Sequence, residues 1–286
     1  MYRSASAGLI AAPGVTAGAA GTRRGMPELP DVEGHARFWS EHATGHTVRR
    51  VRVSDRDVVR NATPQGLGRA LAGRRWAAPA RWGKWLLAPT DDGPTLLLHF
   101  GMSGLLTSSA TDDGGHPHDR VVFELSEGWV AYRTQRKLGG LWLVRSDRER
   151  EEITGMLGPD AGEIDRGGLR ARLSGRRGGV KAALMNQEVM AGVGNELSDE
   201  VLWRAGIHPR HPVSELDAAA IDQLADALAA AVRESIPAGR IPDDDGWLNA
   251  VRGMKEAACP RCGAAIDQGT VAGRTAYWCS KEQPRP

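Results

Sequence analysis

Three cysteines lie close together near the end of the chain: Cys259-Pro-Arg-Cys262 and, after sixteen further residues, Cys279. Thiolates two residues apart can ligate one metal ion from a single turn, and a zinc ribbon adds a second such pair. That pattern expects a cysteine at position 282, where this chain has Glu282. Carboxylate oxygen is an accepted zinc ligand, although thiolate is softer and preferred. Cys259, Cys262, Cys279 and Glu282 are therefore a candidate site for one structural Zn²⁺. The competing reading is a metal-free hairpin held by packing of Tyr277 and Trp278. The chain has no other cysteine, so a disulfide framework is excluded and a reducing compartment is expected.

Two groups of cations come next. Arg166, Arg170, Arg172, Arg176, Arg177 and Lys181 are interspersed with Gly167, Gly168, Gly175, Gly178 and Gly179, which keep the backbone open to a phosphate. The glycine turn Gly192-Val-Gly-Asn195 follows and can add its N–H groups. The ordinary alternative is a solvated cationic loop. In the second group, Arg74, Arg75, Arg81 and Lys84 alternate with Trp76, Trp82 and Trp85, a spacing that core tryptophans also produce. Any nucleic-acid argument rests on these local clusters, because 37 Lys+Arg against 35 Asp+Glu leaves a formal charge of only +2.

These residues need elements to position them. The 286 residues, 41% hydrophobic and 25% charged, have ordinary globular composition and length enough for a sizeable core. No stretch approaches the roughly 18 consecutive apolar residues of a membrane span, so no membrane is expected as a partner. Residues 1–25 are rich in Ala and Gly and hold Arg3, Arg23 and Arg24 but no acidic residue. Pro13, Gly14, Gly18 and Gly21 interrupt any secretory apolar stretch, leaving a disordered extension, a mis-assigned start or, more weakly, an organelle transit peptide. The expected location is otherwise the cytoplasm.

From Pro27 a helical face begins with Val32, Ala36 and Trp39. Strand-like runs follow at Thr47–Val53, Trp85–Ala88, Thr95–Phe100, Arg120–Leu125, Trp129–Tyr132 and Leu141–Val144, separated by Gly/Asp/Pro turns such as 112–115. After about Glu152 the period becomes helical. Ile221, Leu224, Leu228, Val232 and Ile236 share one face behind a candidate N-cap, Asp217. Pro237–Gly246 reads as a linker. The expectation is a multidomain α+β protein. It has an extension (1–26), a β-sandwich with a leading helix (27–152), a helical domain (153–242) and a zinc-finger-like hairpin (243–286).

Five motifs in order carry a resemblance. Met26-Pro-Glu-Leu-Pro-Asp-Val-Glu33 resembles the amino terminus of the formamidopyrimidine-DNA glycosylase/endonuclease VIII family. Gly83-Lys84-Trp85-Leu86-Leu87 and His99-Phe-Gly-Met-Ser-Gly104 are similar to its lysine hairpin and its following strand and turn. Lys181 to Asn195 resembles its helix–two-turns–helix motif. Val251-x-Gly253-x-Lys255, Cys259-x-x-Cys262 and Gly273-Arg274-Thr275 resemble its zinc finger. Together they cover residues 26–283.

The resemblance implies a monomeric, nucleoid-associated bifunctional DNA glycosylase/AP lyase of base excision repair, acting on duplex DNA that carries oxidised bases or abasic sites. Pro27 as an amino-terminal secondary amine would attack C1′ and form a Schiff base, with Glu28 as general acid–base, followed by β- or β,δ-elimination. Lys84, Arg274 and Asn195 would hold phosphates, and Lys181 would reach phosphate or the flipped base. Met102, Arg136 and Leu138 would fill the gap left in the duplex. Four departures accompany this. An acylated proline nitrogen cannot attack, so Met26 is the expected start, with its removal exposing Pro27. Leu138 stands where an aromatic wedge is implied, although an aliphatic one can still unstack a base step. The segment 235–251 is short, which favours a more open pocket than one for oxidised purines. Glu282 replaces the last cysteine. The alternatives are a non-catalytic damaged-DNA-binding protein of the same fold and a zinc-ribbon adaptor, which leaves the first half of the chain unexplained.

Overall fold

The computed structural model describes residues 15–16, 25–110 and 115–286. The expected extension lies outside the described residues apart from Val15, Thr16, Gly25 and Met26, and so does most of the 112–115 turn. The backbone of Val15–Thr16 forms a short strand, β1, paired antiparallel with Thr107 and Ser108.

Helix α1, Leu29–His42, starts where Pro30 fits the first turn and the Asp31 carboxylate accepts the Glu28 N–H at 3.0 Å. It buries Leu29, Val32, Ala36 and Trp39, the helical face expected from spacing. Strands β2 (Val48–Val53), β6 (Leu105–Ser109), β7 (Asp119–Leu125) and β8 (Trp129–Arg133) form a sheet in the order β1-β6-β8-β7-β2. Strands β3 (Ala80–Trp82), β4 (Trp85–Pro89), β5 (Thr95–His99) and β9 (Gly140–Val144) form the second, in the order β3-β4-β5-β9. Helix α2, Pro64–Leu71, covers one end. A single core joins both sheets: Leu86, Leu96, Leu98 and Leu141 from one, Val121, Phe123, Val130 and Tyr132 from the other. Trp39, Trp76 and Phe123 meet edge to face within it, at 4.9–5.8 Å, so Trp76 is a core residue. Each expected strand run is a strand. Besides the two-residue β1, the additional strands β3 and β6 carry weak signals, β3 having only three residues and β6 alternating little in Leu-Leu-Thr-Ser-Ser.

The second core collects α4 (Arg166–Leu173), α5 (Val180–Met185), α6 (Asn195–Ala205) and α7 (Ala218–Ala238); a short charged helix, α3 (Asp147–Thr154), precedes it. Asp217 caps α7 by accepting the Ala220 N–H at 2.7 Å, and Leu224, Leu228 and Val232 are buried. The helix runs through Pro237 to Ala238, two residues into the expected linker. Leu29 of α1 belongs to this second core, so α1 joins the two halves. The closeness of α1 and α7 requires Gly34, where a Cβ would sit 2.7 Å from the Gly239 carbonyl oxygen. A short helix, α8 (Leu248–Val251), leads to the hairpin β10 (Ile266–Val271) and β11 (Arg274–Cys279). The hairpin packs on α6 through Trp203, Leu248, Cys259 and Cys279.

Candidate active site and DNA-facing surface

Glu28 is 3% exposed and lies where α1 meets α6. Its carboxylate accepts three backbone N–H groups: Gly194 at 2.8 Å, Glu196 at 2.8 Å and Leu197 at 3.0 Å. These are the open donors at the start of α6, a favourable place for an anion. Gly194 is required for this approach, because a Cβ there would lie 2.4 Å from the Glu28 carboxyl carbon. The neighbouring Leu29 N–H donates to the Gly192 carbonyl at 3.0 Å, tying the chain after Pro27 to the glycine turn.

A cavity of about 560 Å³ opens in front of Glu28, with Lys84, Met102, Asn195, Arg252 and Arg274 among its lining residues. Gly25 and Met26 line it too, so the chain preceding Pro27 enters the cavity that Glu28 and Lys84 face. Lys84 follows the left-handed Gly83 in the tight β3–β4 turn. Asp160 holds this turn, accepting Gly83 N–H at 2.7 Å and both terminal nitrogens of Arg81, at 2.5 and 3.0 Å. Glu33 of α1 takes the Arg81 Nε at 2.8 Å. Burial pulls the Lys84 pKa below its ordinary value, with Glu28 and Asp31 opposing the fall and Arg274 adding to it. His99 is pushed down to about 4, chiefly by burial and further by Lys84, and is neutral at pH 7. Arg81 therefore belongs to a buried ion-pair network, which agrees with the core reading of its cluster and not with the nucleic-acid one.

Met102 and Arg136 come together, with an Arg136 Nη1 to Met102 Sδ distance of 3.6 Å, and Leu138 is 60% exposed. The loop carrying Arg136 and Leu138 is braced from below. Arg60 donates to the carbonyls of Lys137, at 2.8 Å, and Gly139, at 2.5 Å. An exposed apolar side chain on a braced loop beside an arginine has the form of a duplex wedge.

Lys181 is placed differently from expectation. Its side chain is fully buried, and Nζ donates to the Asn195 carbonyl and the Ser198 hydroxyl, each at 2.9 Å, and pairs with Asp199. With its ammonium saturated inside the protein it does not face a phosphate; it fixes the first turn of α6 and thus Asn195. The surrounding basic patch is also weaker than its sequence suggests. Arg166 pairs with Asp226 and Arg170 with Asp222, both acids on α7. Asn195 lines the cavity and donates Nδ2 to the Thr275 carbonyl at 3.0 Å, linking the two-turn motif to the hairpin.

At the hairpin base, ligand atoms of Cys259, Cys262, Cys279 and Glu282 all lie within 4.8 Å of one another. This spacing fits a tetrahedral ion with sulfur at about 2.3 Å. Glu282 also pairs with Arg261, which stacks on Trp203 with its guanidinium carbon 4.2 Å from the ring centroid. Gln283 bridges the Cys279 N–H and the Ile207 carbonyl, at 2.8 Å each. Sequence reasoning missed Asp160, Asp199 and Arg252. Nothing local marks them: Asp160 meets Arg81 across 79 positions and Asp199 meets Arg252 across 53.

A β-sandwich led by a helix, joined to a helix–two-turns–helix region and a cysteine hairpin with this cavity at the junction, defines a class of DNA-repair glycosylases. Residues 26–141 match the formamidopyrimidine-DNA glycosylase N-terminal domain and residues 157–243 the H2TH domain of the same enzymes. The formamidopyrimidine-DNA glycosylase of Roseiflexus sp. is 34% identical over 276 residues, covering 90% of this chain and all of the relative. That of Alkalilimnicola ehrlichii is 36% identical over 280 residues, covering 89% and 98%. The chain superposes on Lactococcus lactis formamidopyrimidine-DNA glycosylase bound non-covalently to DNA with an AP site, with a TM-score of 0.83 and 27% identity, over 90% of this chain and all of the other. A complex of the Lactococcus enzyme with FAPY-dG-containing DNA gives a TM-score of 0.82 at 26% identity, over 90% of this chain and all of the other. This chain belongs to the formamidopyrimidine-DNA glycosylase family.

Proposed function

We propose that the protein is a bifunctional DNA glycosylase/AP lyase that excises damaged bases through a Schiff base on Pro27. The observation that carries this reading is the placement of Glu28, buried beside Pro27 and anchored by three N–H groups, in a cavity shared with Lys84, Asn195 and Arg274. Pure DNA binding requires no secondary amine next to an anchored carboxylate.

In this reading the working amino terminus is Pro27. The family match beginning at residue 26 supports it, as does the intrusion of Gly25 and Met26 into the cavity. The freed proline nitrogen displaces the base at C1′ and gives up its proton, and the C1′–O4′ bond then opens as O4′ takes a proton, leaving a C1′=N iminium on the open sugar. Glu28 moves protons at the sugar oxygen and then at the carbon next to the iminium, which expels the phosphate by elimination. Lys84 and Arg274 bind phosphates on either side of the lesion. A phosphate would offset the burial cost of the Lys84 charge. The target nucleotide must leave the stack to reach C1′, and Met102, Arg136 and Leu138 fill its place. Cys259, Cys262, Cys279 and Glu282 hold a structural Zn²⁺ that stiffens the hairpin bearing Arg274. The partner is duplex DNA with a damaged base or abasic site, bound by one copy of the chain. Strand scission of abasic duplex DNA by the protein beginning at Pro27, lost in Glu28→Gln, is the expected result. Tight binding without scission would instead establish the non-catalytic binding protein.

A further inference from the structure

Five groups close a ring between the two-turn motif and the hairpin. Lys181 Nζ donates to the Asn195 carbonyl at 2.9 Å and pairs with one oxygen of Asp199. The other Asp199 oxygen accepts Arg252 Nη1 at 2.6 Å. Arg252 Nη2 donates to the Thr275 carbonyl at 3.2 Å, and that carbonyl also accepts Asn195 Nδ2 at 3.0 Å. Two further contacts brace the ring. Tyr277 N–H donates to Asp199 at 3.2 Å, and the Arg252 guanidinium lies 4.6 Å from the centroid of the Tyr277 ring.

Its members come from α5, α6, the segment after α8 and β11, so the ring ties the two-turn motif to the hairpin. Asp199 is fully buried, and two cations converge on it, so its geometry is tightly constrained. Arg252, its side chain 14% accessible, lines the cavity with Asn195, Arg274 and Thr275. Thr275 adjoins Arg274 directly, so the carbonyl that Arg252 grips fixes the start of β11.

We infer that Arg252 is a positioning residue: through Asp199 and the Thr275 carbonyl it sets Arg274 and Asn195 against the Glu28 side of the cavity. This rests on the glycosylase reading. It assigns Arg252 to DNA affinity and not to bond breaking, because Glu28 is anchored by backbone donors of the first turn of α6, which Lys181 also holds directly through the Asn195 carbonyl and Ser198.

The test titrates duplex DNA carrying a tetrahydrofuran abasic analogue, which binds without reacting, against wild type, Arg252→Met, Arg252→Lys, Arg274→Ala and the Arg252→Met/Arg274→Ala double variant. The full chain and the chain beginning at Pro27 are both used, and effects are read in the tighter binder. Arg252→Met should raise Kd about tenfold, as expected for losing charge-assisted hydrogen bonds, and Arg252→Lys should recover to within about threefold of wild type. The double variant should bind within about twofold of Arg274→Ala alone, since residues acting as one unit are not additive. The borohydride-trapping rate at saturating abasic DNA should stay within about twofold of wild type in Arg252→Met. Unchanged affinity in Arg252→Met, additive losses in the double variant, or a fall in the saturated trapping rate would overturn the assignment. If Arg252→Met does not fold, Arg252→Gln, which keeps a donor but loses the charge, takes its place in the same cycle with Arg274→Ala. A wild type that binds the analogue but never traps refutes the proposed reaction while leaving the ring measurable by binding.

Discussion

Lys84 and Arg274 face one cavity and would bind the same polyanion, yet the molecule holds them by opposite means. Lys84 sits in a turn between two packed layers, where Asp160 clamps Gly83 and Arg81 and the sandwich core lies directly behind. Arg274 begins the second strand of a two-stranded hairpin, next to the left-handed Ala272 and Gly273. A hairpin that small is marginal by itself. Its position comes from the cysteine cluster, the Arg261 stack on Trp203, and Asp199. A cation placed by a core can be displaced only by disturbing the fold. One placed by a stapled hairpin can be moved while the rest of the molecule stays intact.

The largest effect should come from attacking the clamp. Asp160→Ala leaves Arg81, 10% exposed, with the partly exposed Glu33 as its remaining carboxylate and the Gly83 carbonyl as a neutral acceptor, and strips the Gly83 N–H of its own acceptor. Chemical denaturation should show a loss of about 3 kcal/mol, typical of breaking a buried pair. An unchanged midpoint would mean the Lys84 turn is not set by this network.

Acid should weaken the same side next. His35, 6% exposed and stacked on Phe100 at 4.0 Å, has its pKa lowered to about 3 by burial. The unfolded chain therefore binds its proton first, and stability falls as the pH drops below 6.5 towards 3. His99, at about 4, acts in the same direction. Between pH 7 and pH 5 His35 should contribute a loss of about 2 kcal/mol, removed in His35→Phe. Urea midpoints at the two pH values measure it, and parallel losses in wild type and variant would contradict it.

On the hairpin side the expected change is in binding. If the cluster holds the proposed zinc, Cys279→Ser should weaken affinity for abasic-analogue DNA about tenfold by removing one candidate ligand. Thermal unfolding of the sandwich should be left in place. Glu282→Cys, completing four thiolates, should raise zinc retention against a chelator, as measured by metal analysis, without altering Glu28 chemistry. Smallest of all, Leu138→Phe should change the same affinity by no more than about threefold, since the side chain on this loop stays apolar and exposed.

The elements that dominate the fold were legible because they depend on local pattern. The α1 face, the strand runs and the Asp217 cap follow from periodicity and short-range chemistry. Cysteine spacing anticipated the cluster because a metal site needs few residues in one turn. Buried charge was not legible. Arg81 and Lys84 read alike in sequence, yet three positions apart one meets Asp160 in the interior and the other lines the cavity. Lys181 stood in a cationic run and turned out to be the partner of Asp199. The donors to Glu28 lie at least 166 positions away, so its anchoring is a product of the fold.

The central claim is that Pro27 is the nucleophile once freed of the preceding chain. Borohydride trapping on abasic duplex DNA, comparing protein begun at Met1 with protein begun at Pro27 and each terminus verified by intact mass, tests it most directly. The account predicts a covalent adduct from the Pro27 form alone, abolished by Pro27→Gly or by acetylating the terminus. A folded Pro27 form that binds this DNA without forming an adduct, or equal trapping by an intact Met1 form, would contradict it.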